Sequence, residues 1–131
     1  MTKGGTVTGQ LAETVDLYPT LASLAGLPAP DGPQPIDGVD LTPVLRDGRK
    51  RLREYAYHAY PRGGRLGLAI RTSRYRLVEW TAEGEEPVYE LYDYREDPLE
   101  TRNTATDEPE TVKRLRAMLA NEPDPVQPRR R

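Results

Sequence analysis

A chain of 131 residues with 19 basic and 21 acidic side chains and a net charge of −2 has room for one hydrophobic core and lacks the concentrated basic face that nucleic acid requires. Leu, Ile and Val together make only 25 of 131 residues and Phe is absent, so eight Tyr and one Trp are expected to supply much of the apolar area, as in a sheet with one face half wet or docked on something else. With no Cys there is no disulfide, thiolate nucleophile or Cys-based metal site, and no apolar run is long enough for a signal peptide or membrane span, so the chain as it stands is expected to remain in the cytoplasm, away from membranes.

Residues 1 to 10, rich in Gly and Thr, read as a loose lead-in. An apolar rhythm then starts at Leu11 and continues through Val15, Leu17, Leu21 and Leu24, with Gly26 and Pro28 as stop signals. Pro19 cannot sit deep in a helix. The spacing therefore predicts a helix from Leu17 to Ala25 with Asp16 as its N-cap, after a separate short turn over Leu11 to Val15. Residues 28 to 38, with four Pro and two Asp-Gly pairs, predict a surface loop. Asp40 can cap a short helical turn, Leu41 to Leu45, that Gly48 ends, and Arg49 to Arg53 reads as a basic, solvated connector.

From Tyr55 the period changes to two. Tyr55, Tyr57 and Ala59 alternate with Ala56, His58 and Tyr60 in a first strand, closed by Pro61-Arg62-Gly63-Gly64. Leu68 to Thr72 and Tyr75 to Thr81 form a hairpin around Ser73-Arg74, in which the alternation sets Arg71 and Arg76 on opposite faces. An acidic loop from Glu83 to Pro87 leads to a last strand, Val88 to Asp93, and Asp97-Pro98 forces a turn, since the residue before Pro is pushed out of the helical region. Pro109 to Asn121 carries Val112, Leu115, Met118 and Leu119 at helical spacing, with Thr106 or Asp107 as cap. The tail from Glu122 is expected to be disordered. The fold class that results is α+β: a small antiparallel sheet of about four strands, a C-terminal helix packed on it and a short N-terminal helical segment. Residues 1–48 form a helical and loop connector, 49–121 the sheet-plus-helix subdomain and 122–131 the tail.

Chemistry-bearing residues are few. His58 is the only histidine, so no two-His metal site or relay can be built. Asp93, Glu96, Asp97 and Glu100 form a carboxylate cluster whose D-x-x-x-D-P-x-E spacing suits capping of backbone N–H groups and pairing with Arg71, Arg74, Arg76 or Arg95 rather than metal binding. Either Arg71 or Arg76 could clamp an anion bidentately, although pairing with turn carboxylates is the plainer reading. Tyr89, Tyr92, Tyr94 and Trp80 read as sheet core and rim before they read as a stacking platform. No phosphate-binding glycine motif occurs, and the two serines, Ser23 and Ser73, lie in no nucleophile elbow.

Asp16-Leu17-Tyr18-Pro19-Thr20-Leu21, Leu24 to Pro28, Asp37-Gly38-Val39-Asp40-Leu41 and Pro43-Val44-Leu45 together resemble the segment that opens the C-terminal part of type I sulfatases. Ile70-Arg71-Thr72 with Arg74-Tyr75-Arg76, then Glu90 to Asp93, Asp97-Pro98, Glu100 and Asn103 resemble that family's C-terminal sheet and exit turn. Tyr60-Pro61-Arg62 and the run from Ile70 to Trp80 resemble the iduronate-2-sulfatase-like branch.

The resemblance implies a sulfuric ester hydrolase of the alkaline-phosphatase-like superfamily, whose members use a formylglycine from a C/S-x-P-x-R motif and a Ca²⁺ ion. Neither Ser23 nor Ser73 is followed by P-x-R. No catalytic, cofactor-binding or metal-binding residue carries over, and no cofactor is expected in this chain.

The partner implied is an N-terminal sulfatase α/β domain, and the chain alone is expected to be inactive, bracing that domain and contributing His58, Tyr60 and Arg62 to the substrate-pocket rim. An alternative is a stand-alone module that binds another protein or a sulfated sugar through its Arg and Tyr positions. A third reading, a complete small enzyme built on His58 and nearby carboxylates, lacks a nucleophile or metal constellation.

Overall fold

The computed structural model describes residues 4–29, 31–33, 35–123 and 125; most of the expected disordered tail lies outside them. The chain divides into two compact units, residues 1–56 and 57–131, with the division two residues into the first strand.

The first unit is built around a buried carboxylate. A short 3-10 turn, Thr14–Asp16, runs directly into helix α1, Leu17–Leu24. Asp16 stands at the N-cap position of α1 but does not cap it with its side chain. Its backbone is already helical, which turns the carboxylate away from the α1 N–H groups. Instead Oδ2 accepts the Glu13 N–H at 2.8 Å, closing the 3-10 turn, while Oδ1 accepts the Val39 N–H at 2.9 Å and is paired with Arg53. Arg53 also pairs with Glu13, and its side chain is 14% exposed. The expected solvated connector is therefore exposed from Arg49, which pairs with Asp47, to Leu52, and only its last residue, Arg53, is drawn in.

Thr20 adds a second tie to this unit, donating its hydroxyl to the Asp16 carbonyl and accepting the Leu41 N–H at 2.9 Å. These bonds draw residues 39–41 back across α1. Helix α2, Thr42–Arg46, begins after Asp40, whose two carboxylate oxygens accept the Thr42 N–H and hydroxyl, both at 2.8 Å.

The second unit is a four-stranded sheet in the order β1-β2-β3-β4: Tyr55–Arg62, Arg65–Thr72, Tyr75–Thr81 and Val88–Asp93. Strand β1 runs on through Pro61 and Arg62 to a two-residue turn at Gly63-Gly64. Both glycines have positive φ, +58° and +84°, as the tight hairpin turn that matches strand twist requires. Strands β2–β3 and β3–β4 pair antiparallel, with Ile70 opposite Leu77 and Leu77 opposite Leu91. Those three side chains are fully buried, as is Leu115 of helix α3, Pro109–Leu119. Val112, Leu115 and Leu119 are the buried stripe of α3, which packs on β2 and β3, so one face of the sheet is covered by that helix. The result is the α+β arrangement expected from the period change at Tyr55.

The other face carries Gly67, Ala69 and Arg71 of β2 opposite Trp80, Val78 and Arg76 of β3. Trp80 lies across Gly67: a Cβ there would sit 2.7 Å from the indole. The exit loop closes the outer edge of β4. Asn103 accepts the Leu91 N–H at 2.9 Å and donates to the Tyr89 carbonyl at 3.0 Å, and the Thr104 N–H reaches the Leu91 carbonyl at 2.8 Å. A loop thus takes hydrogen-bonding groups that a fifth strand would use.

Candidate functional site

The register corrects the expected placement of two arginines. The turn at Ser73-Arg74 sets Arg71 directly opposite Arg76, and residues directly opposite in an antiparallel pair share a face. Tyr92 of β4 lies opposite Arg76 and extends the same face. Tyr89 belongs to the α3 side, where Arg116 sits 4.8 Å over its ring, so the four aromatic residues make no common stacking platform.

One carboxylate serves the Arg71–Arg76 pair. Glu100 follows the Asp97-Pro98 turn with φ +56°, the only positive φ at a non-glycine residue among those described, a conformation that costs most side chains energy and persists where its surroundings fix it. Here the fixing bonds are a two-point contact from Arg76 and a hydrogen bond from the Tyr94 hydroxyl. Burial pushes the Glu100 carboxyl up, but the hydrogen bonds from Arg76 and Tyr94 outweigh it and hold the group below the usual carboxylate range. Burial also pushes the Tyr94 phenol up, aided by its bond to Glu100.

Arg71 is placed differently. Its guanidinium lies 3.4 Å over the Tyr94 ring, it joins no ion pair among the described residues, and its Nη1 is buried without an acceptor. A cation over a ring contributes about 0.5–2 kcal/mol, whereas a buried N–H left without a partner costs about 1–3 kcal/mol. Asp93 and Asp97 do behave as their spacing suggests. Asp93 takes a forked contact from Arg74, with Nη2 at 2.6 Å, together with the Arg95 N–H at 3.0 Å. Asp97 accepts the Arg102 N–H at 2.8 Å. Hydrogen bonding to Arg74 holds the Asp93 carboxyl below its ordinary range.

His58, Tyr60 and Arg62 occupy alternate positions of β1, and all three are exposed. Alternation along a strand places them on one side. Tyr60 meets Trp80 edge-on with ring centroids 5.5 Å apart, and Arg62 makes no ion pair among the described residues. Burial, and next the charge of Arg76, lower the His58 pKa, favouring the neutral imidazole. Sequence alternation alone identifies these three as a set. It misses the juxtaposition of Arg71, Arg76 and Glu100, which depends on the two-residue turn and on a loop residue with positive φ.

The residues present do not fit a family metal or nucleophile. Among the described residues no group of three or more His, Cys, Asp or Glu is arranged to hold an ion, and Asp93, Asp97 and Glu100 are occupied by arginines, a tyrosine hydroxyl and backbone N–H groups. Ser23 faces Thr42 at 3.4 Å, with no P-x-R after it. No described helix is long and apolar enough to cross a membrane.

Comparison with known proteins agrees with the fold and with the motifs. The chain is 42% identical over 77 residues to human arylsulfatase A, which takes in 57% of this chain and 15% of that protein. It is 29% identical over 109 residues to an N-acetylglucosamine-6-O-sulfatase of Bacteroides thetaiotaomicron, covering 77% of this chain and 19% of the relative. A structure solved with its substrate D-glucosamine-2-N,6-O-disulfate superposes with a TM-score of 0.64 at 27% identity, covering 80% of this chain and 22% of that one. The chain therefore spans about a fifth or less of the curated relatives it matches. The family described as N-sulphoglucosamine sulphohydrolase, C-terminal, matches residues 1–125, and the chain belongs to this family of type I sulfatase C-terminal domains.

Proposed function

We propose that this chain braces the catalytic α/β domain of a sulfuric ester hydrolase and lends His58, Tyr60 and Arg62 to the rim of its substrate pocket. The observation that carries the reading is the outer end of β1, where three polar or aromatic side chains stand exposed on one side of a rigid strand. Such a row, ending at a tight turn, suits contacts with a polar ligand at a domain boundary. The bracing role draws support from α1, whose Leu17, Tyr18, Leu21 and Leu24 are at least half exposed, an apolar surface that a partner domain would cover.

The substrate class suggested by the relatives is a sulfated sugar, and Tyr60-Pro61-Arg62 with Ile70 to Trp80 favours the iduronate-2-sulfatase-like branch. Formylglycine and Ca²⁺ would reside in the catalytic domain, and the chain alone turns over no sulfate ester.

The DNA upstream of Met1 is the first test: an in-frame or frameshifted C/S-x-P-x-R segment supports the reading. The domain it encodes should bind this chain, and the pair should hydrolyse a sulfated sugar with KM raised by Arg62→Ala and kcat little changed, as for loss of a contact made equally in ground and transition states. Sulfate-ester turnover by the chain alone in the presence of a chelator would overturn it.

A further inference from the structure

The other described arginines of the sheet unit either pair with a carboxylate or, like Arg62, Arg95 and Arg114, are exposed; Arg71 is neither. Arg65, Arg74, Arg76, Arg102 and Arg116 pair with Glu85, Asp93, Glu100, Asp107 and Glu79 respectively, and Arg62 is exposed at the end of β1. Arg71 lies in β2, directly opposite a second arginine, an arrangement that like charges disfavour. The one carboxylate in reach, Glu100, is taken by Arg76 and Tyr94. Tyr94 fixes the plane of the Arg71 guanidinium from one side without accepting a hydrogen bond, and Nη1 is shut from solvent with no acceptor, while the residue as a whole keeps intermediate exposure. The local balance is two guanidinium charges to one carboxylate, with one planar fork pre-oriented and unused.

We propose that Arg71 is an oxyanion-binding residue, whose guanidinium, backed by the Tyr94 ring and flanked by Arg76, takes a carboxylate or sulfate group on the side where the residue is partly exposed. A guanidinium suits either, because its parallel N–H groups match two oxygens at once. Holding the guanidinium against a ring removes rotamer freedom before the anion arrives, so less is lost on binding. The site uses none of His58, Tyr60 and Arg62 as a ligand, although the Arg76 charge that flanks it also reaches His58, so substitutions at Arg71 and on β1 test the two readings separately.

The test is an NMR titration of the full 131-residue chain with sodium sulfate, and separately with sodium acetate, at constant ionic strength, following the arginine Nε–H resonances. A saturable shift at Arg71 is expected, and Arg71→Gln should weaken binding by about tenfold, the loss of one charge-assisted contact. Arg71→Lys should keep part of the affinity, because charge remains while the fork is lost. Glu100→Gln, which relieves Arg76 of its carboxylate, should tighten binding. Saturation by sulfate alone assigns a tetrahedral ligand group, by acetate alone a carboxylate, and by both a site that accepts either source. If Arg71→Gln disturbs the fold by circular dichroism, the Lys and Glu100 variants decide. Absence of saturation with either anion, or affinity unchanged by the Arg71 substitutions, overturns the proposal.

Discussion

At the scale of single residues, the charged side chains of the sheet unit gain their meaning from burial more than from type. Asp93 is 4% exposed, so its contacts with Arg74 and the Arg95 N–H act where water competes poorly. Asp93→Asn should lower stability by about 2 kcal/mol, the scale of a hydrogen bond to a charged group, measurable as a shifted denaturant midpoint at pH 7. The pKa of Asp93 is depressed in the folded chain. Its contribution is therefore complete above the usual carboxylate range and is lost as pH falls below it, through the depressed folded pKa, so the loss caused by the Asn variant should shrink in acid.

His58 acts in a different window. Its folded pKa lies below the ordinary value of about 6.5, so the folded state binds its proton less readily than the unfolded chain. Stability is whole above that value and declines as pH drops below it, and His58→Gln should flatten the decline between about pH 7.5 and 5.5 in thermal melts. Residue types and spacing made the pairing of the turn carboxylates legible from sequence. The shared face of Arg71 and Arg76 was missed although a two-residue turn at Ser73-Arg74 already sets them opposite each other: alternation was followed along each strand, whereas cross-strand partners lie on one face.

At the scale of elements, two strands were legible to the residue, whereas β2 begins at Arg65, three residues before its expected start, and helix ends fall within two residues of theirs. Val88–Asp93 and Tyr75–Thr81 coincide with their expected bounds, since period-two alternation ends sharply at turn residues. Strand β1 continues two residues further than expected. Pro61 is tolerated there because an edge strand has N–H groups that no neighbour needs. The role of Asp16 illustrates the opposite limit: local capping rules place it at the start of α1, but long-range demand from Val39 and Arg53 claims its carboxylate.

Two changes test element packing. Gly67→Ala would drive a methyl into the Trp80 ring and should cost about 1–3 kcal/mol, the range for overpacking, with a change in Trp fluorescence as a second readout. Asn103→Ala leaves the Leu91 and Ala105 N–H groups without their acceptor and should cost about 1–3 kcal/mol. Amide exchange should accelerate at Leu91 before it does at Leu77, which lies in the interior of the sheet.

For the whole molecule, sequence composition and structure converge on a protein with apolar surface to spare. The fully buried side chains of the sheet unit are aliphatic, with Tyr75 and Trp80 the buried aromatic residues among those described, whereas Leu17, Leu21, Leu24 and Leu27 remain at the surface of the first unit. The purified chain should bind a hydrophobic dye and unfold over a broad range, and a sharp, dye-silent transition by calorimetry would count against a missing partner domain. What the sequence made legible at this scale was family and fold class, carried by short motifs that follow one another in order from Asp16 to Asn103. The division after Ala56 was not legible, because it falls inside a strand whose alternation is unbroken.

The exit loop that clasps β4 has one consequence for the behaviour of the chain in concentrated solution. An uncovered strand at a sheet margin is a template for another copy, and Asn103 and Thr104 occupy that template along the centre of β4. Aggregation by strand addition would have to begin at β1, so substitutions that loosen the clasp, Asn103→Ala among them, should open a second route and shorten the lag before fibrils form.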